Sequence, residues 1–269
     1  MEQKALLQDQ NEKPLLYLAD IRPLYGRELM RRVYFCVDEK RRQKADACRS
    51  VQAKAASLAA GFLAEYALRQ YEKAEGQRRK GASCMGAFRI EYGKKGQPIV
   101  CPKEECQSPE EGFQKERGTP YVSLSHSGDY AVCAIAKVPV GVDIQKRQPV
   151  RSGMLRHFFT EGEERDFLRR HLGEEPPKER EGALGSRTAD CLGEGAETEF
   201  LRLWTMKESY MKLTGAGMGI GFVALQTDRE CKTIWERGTG DKKGAGGTCR
   251  IWEYAAPAGY FLTACTKTV

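Results

Sequence analysis

The sequence lacks the signatures of small secreted, zinc-bound and membrane-spanning proteins. It has ten cysteines, yet none stand in a C-x-x-C pair, and the closest two are Cys101 and Cys106. Three histidines without paired ligand spacing do not make a structural zinc site. The opening stretch MEQKALLQDQNEK has no apolar core of the kind a secretory signal needs. Scattered thiols in that setting read as free cysteines in a reducing cytoplasm, not as a disulfide framework. No apolar run approaches the ~18 residues of a membrane span. There is also no G-x-S-x-G elbow around which a serine hydrolase would be built.

Hydrophobic residues make up 41% of the 269 and aromatics 9%, enough for a buried core. Lysine and arginine total 44 against 37 acids, a net charge of +7. That excess favours an anionic partner without choosing among nucleic acid, a membrane surface and a phosphorylated cofactor.

Hydrophobic patterning alternates between strand and helix. Leu15 to Leu18 read as a first strand, ended near Pro23. Glu39 to Tyr71 has helical periodicity, with Val51, Ala55, Leu58, Ala59, Phe62 and Tyr66 on one stripe and a basic first portion that includes Lys40, Arg41, Arg42 and Lys44. Gly93, Gly96 and Pro98 mark turns. Tyr121–Leu124 and Tyr130–Ala136 read as strands around a turn Ser125-His126-Ser127-Gly128. Lys137-Val138-Pro139 then suits a tight antiparallel connection into a strand running from Val138 to Gln145. Thr160 with Glu163 is a capping box that starts a helix over roughly 161–171. Residues 173–199 hold five glycines, two prolines and eight acids against three bases, the composition of a surface insertion. A helix over about 198–214 is closed by Gly215 and Gly217, and strands are expected around Trp252 and Phe261. Interspersed strands and helices place the chain in the α/β or α+β class.

Three segments carry candidate chemistry. In Val140-Gly141-Val142-Asp143-Ile144-Gln145, strand alternation puts Asp143 and Gln145 on one face. An acid between β-branched residues fits a strand poorly, so a metal, a base or water should compensate; a wetted edge strand is the plain alternative. In Phe200–Lys212, helical spacing puts Thr205, Glu208 and Lys212 on one stripe, opposite Phe200, Leu203, Trp204 and Met211. Glu208 and Lys212 make either an ordinary i,i+4 ion pair or a carboxylate and an ammonium aimed at one ligand, as a pyrophosphate with a divalent cation would require. Ser125-His126-Ser127-Gly128 offers hydroxyls, an imidazole and a flexible glycine to a phosphate. Taken alone, this third segment is an ordinary serine-rich turn.

In their order and spacing, SHSG, GVDIQ and WTMKESYMK together resemble the 4′-phosphopantetheinyl transferase superfamily, in its longer monomeric type that activates peptide and polyketide synthetases. Arg156-His157-Phe158-Phe159-Thr160 and Ser57-Leu58-Ala59-Ala60-Gly61 resemble neighbouring family segments. The resemblance implies two similar α/β subdomains, 1–138 and 139–269, related by a pseudo-twofold axis with the ligand between them. It implies transfer of the 4′-phosphopantetheine arm of coenzyme A to a serine of an apo carrier protein, with magnesium and release of 3′,5′-ADP. By position, Asp143, Gln145 and Glu208 would ligate the metal, Glu208 would also act as base, and Lys212 would hold the cofactor phosphates. Ser125, His126, Lys40 and Lys44 would contact phosphate. The expected partners are coenzyme A and an acyl, peptidyl or aryl carrier domain, with no nucleic acid and no membrane.

Three departures stand out. Gln145 replaces a glutamate common among relatives. Gly96-Gln97-Pro98, preceded by Lys94 and Lys95, replaces Gly-Lys-Pro. Ala56 stands where a basic residue often precedes the Ser-Leu-Ala-Ala-Gly segment. The neutral Gln145 keeps open a non-catalytic relative that binds coenzyme A or docks a carrier. A nucleic-acid binder would account for the charge but not for Asp143 and Glu208.

Overall fold

The computed structural model describes residues 13–75, 87–93, 96–103, 118–172, 191–215, 217, 221–228, 230, 232–238 and 247–268. Lys94, Lys95 and positions 173–190 of the acidic insertion lie outside the described residues. No helix among the described residues is long and apolar enough to cross a membrane.

Among the described residues every strand pairing is antiparallel, which places this mixed chain on the α+β side of its class. Strands β1 (Leu15–Asp20), β4 (Tyr121–Ser127) and β5 (Tyr130–Ala136) form a sheet in the order β1-β5-β4. Strands β2 (Phe88–Tyr92) and β3 (Pro98–Pro102) form a hairpin. Strand β6 (Val140–Lys146) edges a five-stranded sheet with β7 (Leu225–Asp228), β8 (Thr233–Glu236), β9 (Cys249–Glu253) and β10 (Tyr260–Lys267), in the order β6-β10-β9-β8-β7. The expected antiparallel partnership of β5 and β6 does not form. The connection at 137–139 instead carries the chain from one sheet to the other, and β6 pairs with β10, with Asp143 opposite Thr263.

Alternation along β5 and β6 builds the layers. Val132, Ala134 and Ala136 face Val140, Val142 and Ile144, so the two sheets share an apolar interior. Ala131, Cys133 and Ile135 point the other way, under a long helix. The helical stretch expected over Glu39–Tyr71 is two helices, α2 (Glu39–Asp46) and α3 (Val51–Ala74), preceded by α1 (Arg27–Cys36). The break has a local cause: Ser50 caps α3, its Oγ accepting from the Ala53 amide at 3.1 Å. Half of the expected stripe on α3 is buried (Ala55, Leu58 and Ala59) and half is exposed (Val51, Phe62 and Tyr66). The first core is met by Ala55, Ala56, Ala59, Ala60, Ala64 and Ala67, with Leu63, Leu68 and Tyr71 beside them. Small side chains let this helix lie close to the strands.

On the outer face of the second sheet lies α6 (Glu194–Thr214), which starts four residues earlier than the sequence suggests and ends at Gly215 in the left-handed conformation, φ 67°. Between β6 and α6 come α4 (Leu155–Phe158) and α5 (Glu161–Leu172). The capping box holds, with the Thr160 amide donating to Glu163 Oε2 at 2.9 Å and the Glu163 amide donating to Thr160 Oγ1 at 3.3 Å.

Gly141 sets how closely α6 approaches β6. A Cβ added there would sit 1.9 Å from the Ser209 carbonyl oxygen and 2.5 Å from the Leu213 amide nitrogen. Both are backbone atoms of the helix that carries Glu208 and Lys212, so relief requires moving the helix. Gly141→Ala is therefore expected to destabilise the fold by about 1–3 kcal/mol through overpacking. A urea titration checks this: the midpoint should fall at an unchanged slope, and an unshifted midpoint would mean the helix stands further off.

Candidate active site

Asp143 is 5% exposed, on the face of β6 turned toward α6. Its Oδ1 accepts from Ser125 Oγ at 2.8 Å and from Lys212 Nζ at 2.6 Å. Its Oδ2 is buried and has no hydrogen-bond partner. A buried carboxylate oxygen left without a donor is costly, and it is the kind of atom a hard cation takes.

Glu208, one turn before Lys212 on α6, is half-buried. Burial first, then the negative charge of Asp143, hold its carboxyl above the ordinary glutamate range, while Lys212 opposes the shift. Each carboxylate thus raises the electrostatic cost of the other, and a dication between them would relieve it. Gln145 shares Asp143's strand face, and its amide N–H donates to the Lys146 carbonyl at 3.0 Å, leaving the carbonyl oxygen as its ligating end. Among the described residues, no three His, Cys, Asp or Glu side chains gather as a metal cluster. Asp143, Glu208 and the Gln145 carbonyl are the oxygen donors here that could hold a hard cation.

Ser125 and His126 do not lie on a turn. Both are in β4, and the turn comes after them, at Gly128 and Asp129. Strand alternation sends them to opposite faces. Ser125 points to Asp143, and exposed His126 faces the cationic side of α2. Surrounding protein lowers the His126 pKa, helped by the charges of Lys212, Lys44 and Arg41. Lys44 is pushed down as well, by burial and then by Arg41. Lys212, Lys44 and Arg41 thus form a cationic strip around the His126 imidazole, whose protonation they oppose. Lys40 is turned elsewhere, its Nζ 2.5 Å from Glu91 Oε2 on β2.

Two contributors carry no sequence signal of their own. Arg41, one of a basic run, is only 4% exposed; its guanidinium donates to the Tyr92 hydroxyl at 2.7 and 3.1 Å and lies over that ring. Its stem packs where a side chain on Gly61 would stand, 2.6 Å from a Cβ built there. Lys207 is 2% exposed, donates to the carbonyls of Phe158 and Phe222 at 3.0 Å each, and sits 4.3 Å from the Phe158 ring centroid. Burial pushes it down to about 8. It fastens α6 at the residue beside Glu208. Only its place between Met206 and Glu208, on a helix with an aromatic neighbour at Trp204, hinted at this.

Residues 139–252 match the profile described as the 4′-phosphopantetheinyl transferase superfamily. The chain is 35% identical over 101 residues to a 4′-phosphopantetheinyl transferase of Bacillus pumilus, covering 38% of this chain and 34% of that protein. It is 31% identical over 124 residues to one of Aneurinibacillus migulanus, covering 44% of each. It is 28% identical over 143 residues to the L-aminoadipate-semialdehyde dehydrogenase-phosphopantetheinyl transferase of Pongo abelii, covering 52% of this chain and 39% of that one. The chain thus spans between about a third and under a half of these curated relatives. The matched residues include the strand of Asp143 and the helix of Glu208 and Lys212, so the part of the chain that carries the site is similar to the 4′-phosphopantetheinyl transferase superfamily.

Proposed function

We propose that this protein transfers the 4′-phosphopantetheine arm of coenzyme A to a serine of an apo carrier protein, releasing 3′,5′-ADP. One observation carries the reading: the buried, partnerless Oδ2 of Asp143 beside a second carboxylate, with a strip of cations leading away from it. Asp143 and Glu208 would hold a magnesium ion, with the carbonyl oxygen of Gln145 as third protein donor. When bound, that ion neutralises charge developing on the pyrophosphate. Glu208 accepts the proton of the incoming serine hydroxyl, which requires its carboxylate form. Lys212 binds a bridging or terminal phosphate oxygen, exchanging part of its contact with Asp143 for one with substrate. Lys44 and Arg41 receive the 3′-phosphate together with His126, whose protonated form the arriving anion would favour.

The same reading has two subdomains, 1–138 and 139–269, related by a pseudo-twofold axis and acting as a monomer in the cytoplasm. In support, each half has an antiparallel sheet with one long helix on its outer face, and Cys36, Cys48, Cys133, Cys191, Cys249 and Cys265 are free of disulfides.

Mass spectrometry of apo carrier proteins incubated with the protein, coenzyme A and magnesium tests the reaction. A carrier should gain the phosphopantetheine mass; no gain across peptidyl, polyketide and fatty-acid carriers would refute transfer and leave a coenzyme A-binding or carrier-docking relative. Glu208→Gln should lower the transfer rate by about 100-fold or more, from loss of base and ligand together.

Burial and the charge of Asp143 raise the Glu208 pKa in the metal-free site, and a bound dication would lower it. In metal-free protein the Glu208 carboxyl should therefore titrate above the ordinary glutamate range and move down when magnesium is added, as followed by carboxyl NMR. A Glu208 signal that does not respond to magnesium would remove this residue from the ligand set.

The cationic strip separates two neighbouring lysines. Lys44→Ala should raise KM for coenzyme A about 5-fold or more, the scale of one lost charged hydrogen bond. Lys40→Ala, removing an exposed ion pair with Glu91, should leave KM within about 2-fold. Steady-state kinetics with varied coenzyme A decides, and equal effects would contradict the assignment.

A further inference from the structure

A hydroxyl group has one hydrogen to donate and two lone pairs to accept with. At Ser125 all three are in use. Its Oγ donates to Asp143 Oδ1 at 2.8 Å, accepts from Lys212 Nζ at 2.7 Å, and accepts from the Ile144 amide over a long 3.4 Å. The residue is 6% exposed. Nothing is left for a phosphate oxygen, which would need the hydrogen that Asp143 now receives.

We propose that Ser125 is a positioning residue for Asp143 and not a phosphate ligand. The proposal rests on the transferase reading above and concerns how its metal-binding carboxylate is held. Oδ1 takes two donors, Ser125 and Lys212, so the carboxylate plane is fixed and the second oxygen stays bare. The Ile144 amide ties the hydroxyl to the strand that carries Asp143, so the two groups move together. Outer-shell hydrogen bonds of this kind orient metal ligands, and their loss typically weakens metal binding by about 10–100-fold.

Ser123 supplies an internal control. Its Oγ accepts from the Val142 amide at 3.1 Å, the same kind of tie two residues earlier on each strand. A variant there reports what losing such a tie does to the fold alone. Ser125→Thr keeps a hydroxyl on a residue well suited to a strand.

Two probes separate the roles: Mn2+ binding followed by electron paramagnetic resonance of the free ion, and 3′,5′-ADP binding by calorimetry in EDTA. Ser125→Ala should weaken Mn2+ by about 10–100-fold while 3′,5′-ADP affinity changes less than about 2-fold. Ser125→Thr should regain most of the Mn2+ affinity, and Ser123→Ala should keep it. The Ile144 amide should also exchange faster with solvent in Ser125→Ala. Equal losses of both probes would make the hydroxyl a phosphate ligand after all, and equal Mn2+ losses in Ser123→Ala and Ser125→Ala would reduce it to a structural tie. If wild-type protein binds both probes and Ser125→Ala binds Mn2+ as tightly, the positioning role alone falls. If wild type binds neither, the transferase reading falls, and this proposal with it.

Discussion

The site depends on how the free edge of β6 is closed. As the outermost strand of its sheet, β6 presents backbone N–H groups with no neighbouring strand to accept them. The amides of Val142, Ile144 and Lys146 donate instead to the hydroxyls of Ser123, Ser125 and Ser127 at 3.1, 3.4 and 3.0 Å. Strand side chains recur every second residue, and so do outward-facing amides. Serines at alternate positions of β4 therefore match three consecutive edge amides without merging the sheets. Each such bond adds about 1 kcal/mol, and leaving a buried amide unpaired would cost more. The larger consequence is register. The ladder fixes which hydroxyl of β4 meets which residue of β6, and the middle rung lands beside Asp143. A slip of one residue would put His126 at this edge and the hydroxyls on the helix side.

The second constraint is distance on the other face of β6. Gly141 admits the backbone of α6 to within contact of the strand, and Lys207 anchors the same helix at the carbonyls of Phe158 and Phe222. Between these two attachments, Glu208 is carried to a place where it feels the charge of Asp143, and Lys212 reaches across to hydrogen-bond it. A tight strand–helix seam thus brings Glu208, whose charge burial already disfavours, within reach of the charge of Asp143. Outward from the seam the sign reverses, through Lys44 and Arg41. The arrangement suits a substrate that brings its own negative charge together with a small cation.

Much of this was legible in the sequence. The lone acid in Val140–Gln145 and the Glu208–Lys212 spacing announce themselves through alternation and helical period, and the capping box at Thr160 and the glycine stop at 215 held as expected. What escaped the sequence was tertiary in origin. Ser125-His126-Ser127-Gly128 reads as a turn because serine and glycine are turn formers; the edge amides of β6 recruit those serines into a strand. Lys40 and Lys44 look equivalent one turn apart, yet Glu91 on the distant β2 draws Lys40 away, and Arg41 is claimed by Tyr92. The stripe expected on α3 is only half its core face: Ala55, Leu58 and Ala59 are buried, but Val51, Phe62 and Tyr66 are not, because the buried face is rotated toward a row of alanines with Leu63 and Leu68. The partner of β6 lies more than a hundred residues away, at β10, beyond the reach of any local pattern.

The neutral residue at 145 follows from the same electrostatics. In the fold as it stands, Asp143 and Glu208 share one ammonium, that of Lys212, and Glu208 already sits above its ordinary range because the second carboxylate is near. A third carboxylate on the same strand face as Asp143 would add like charge to a group of buried acids balanced by a single cation. Glutamine gives up attraction for a dication and in exchange limits that repulsion while no ion is bound. Its amide N–H is tied to the Lys146 carbonyl, so the side chain does not compete for the hydrogen bonds that Asp143 receives from Ser125 and Lys212. What remains at Gln145 is one carbonyl oxygen, enough for a ligand to an ion that keeps most of its shell as water.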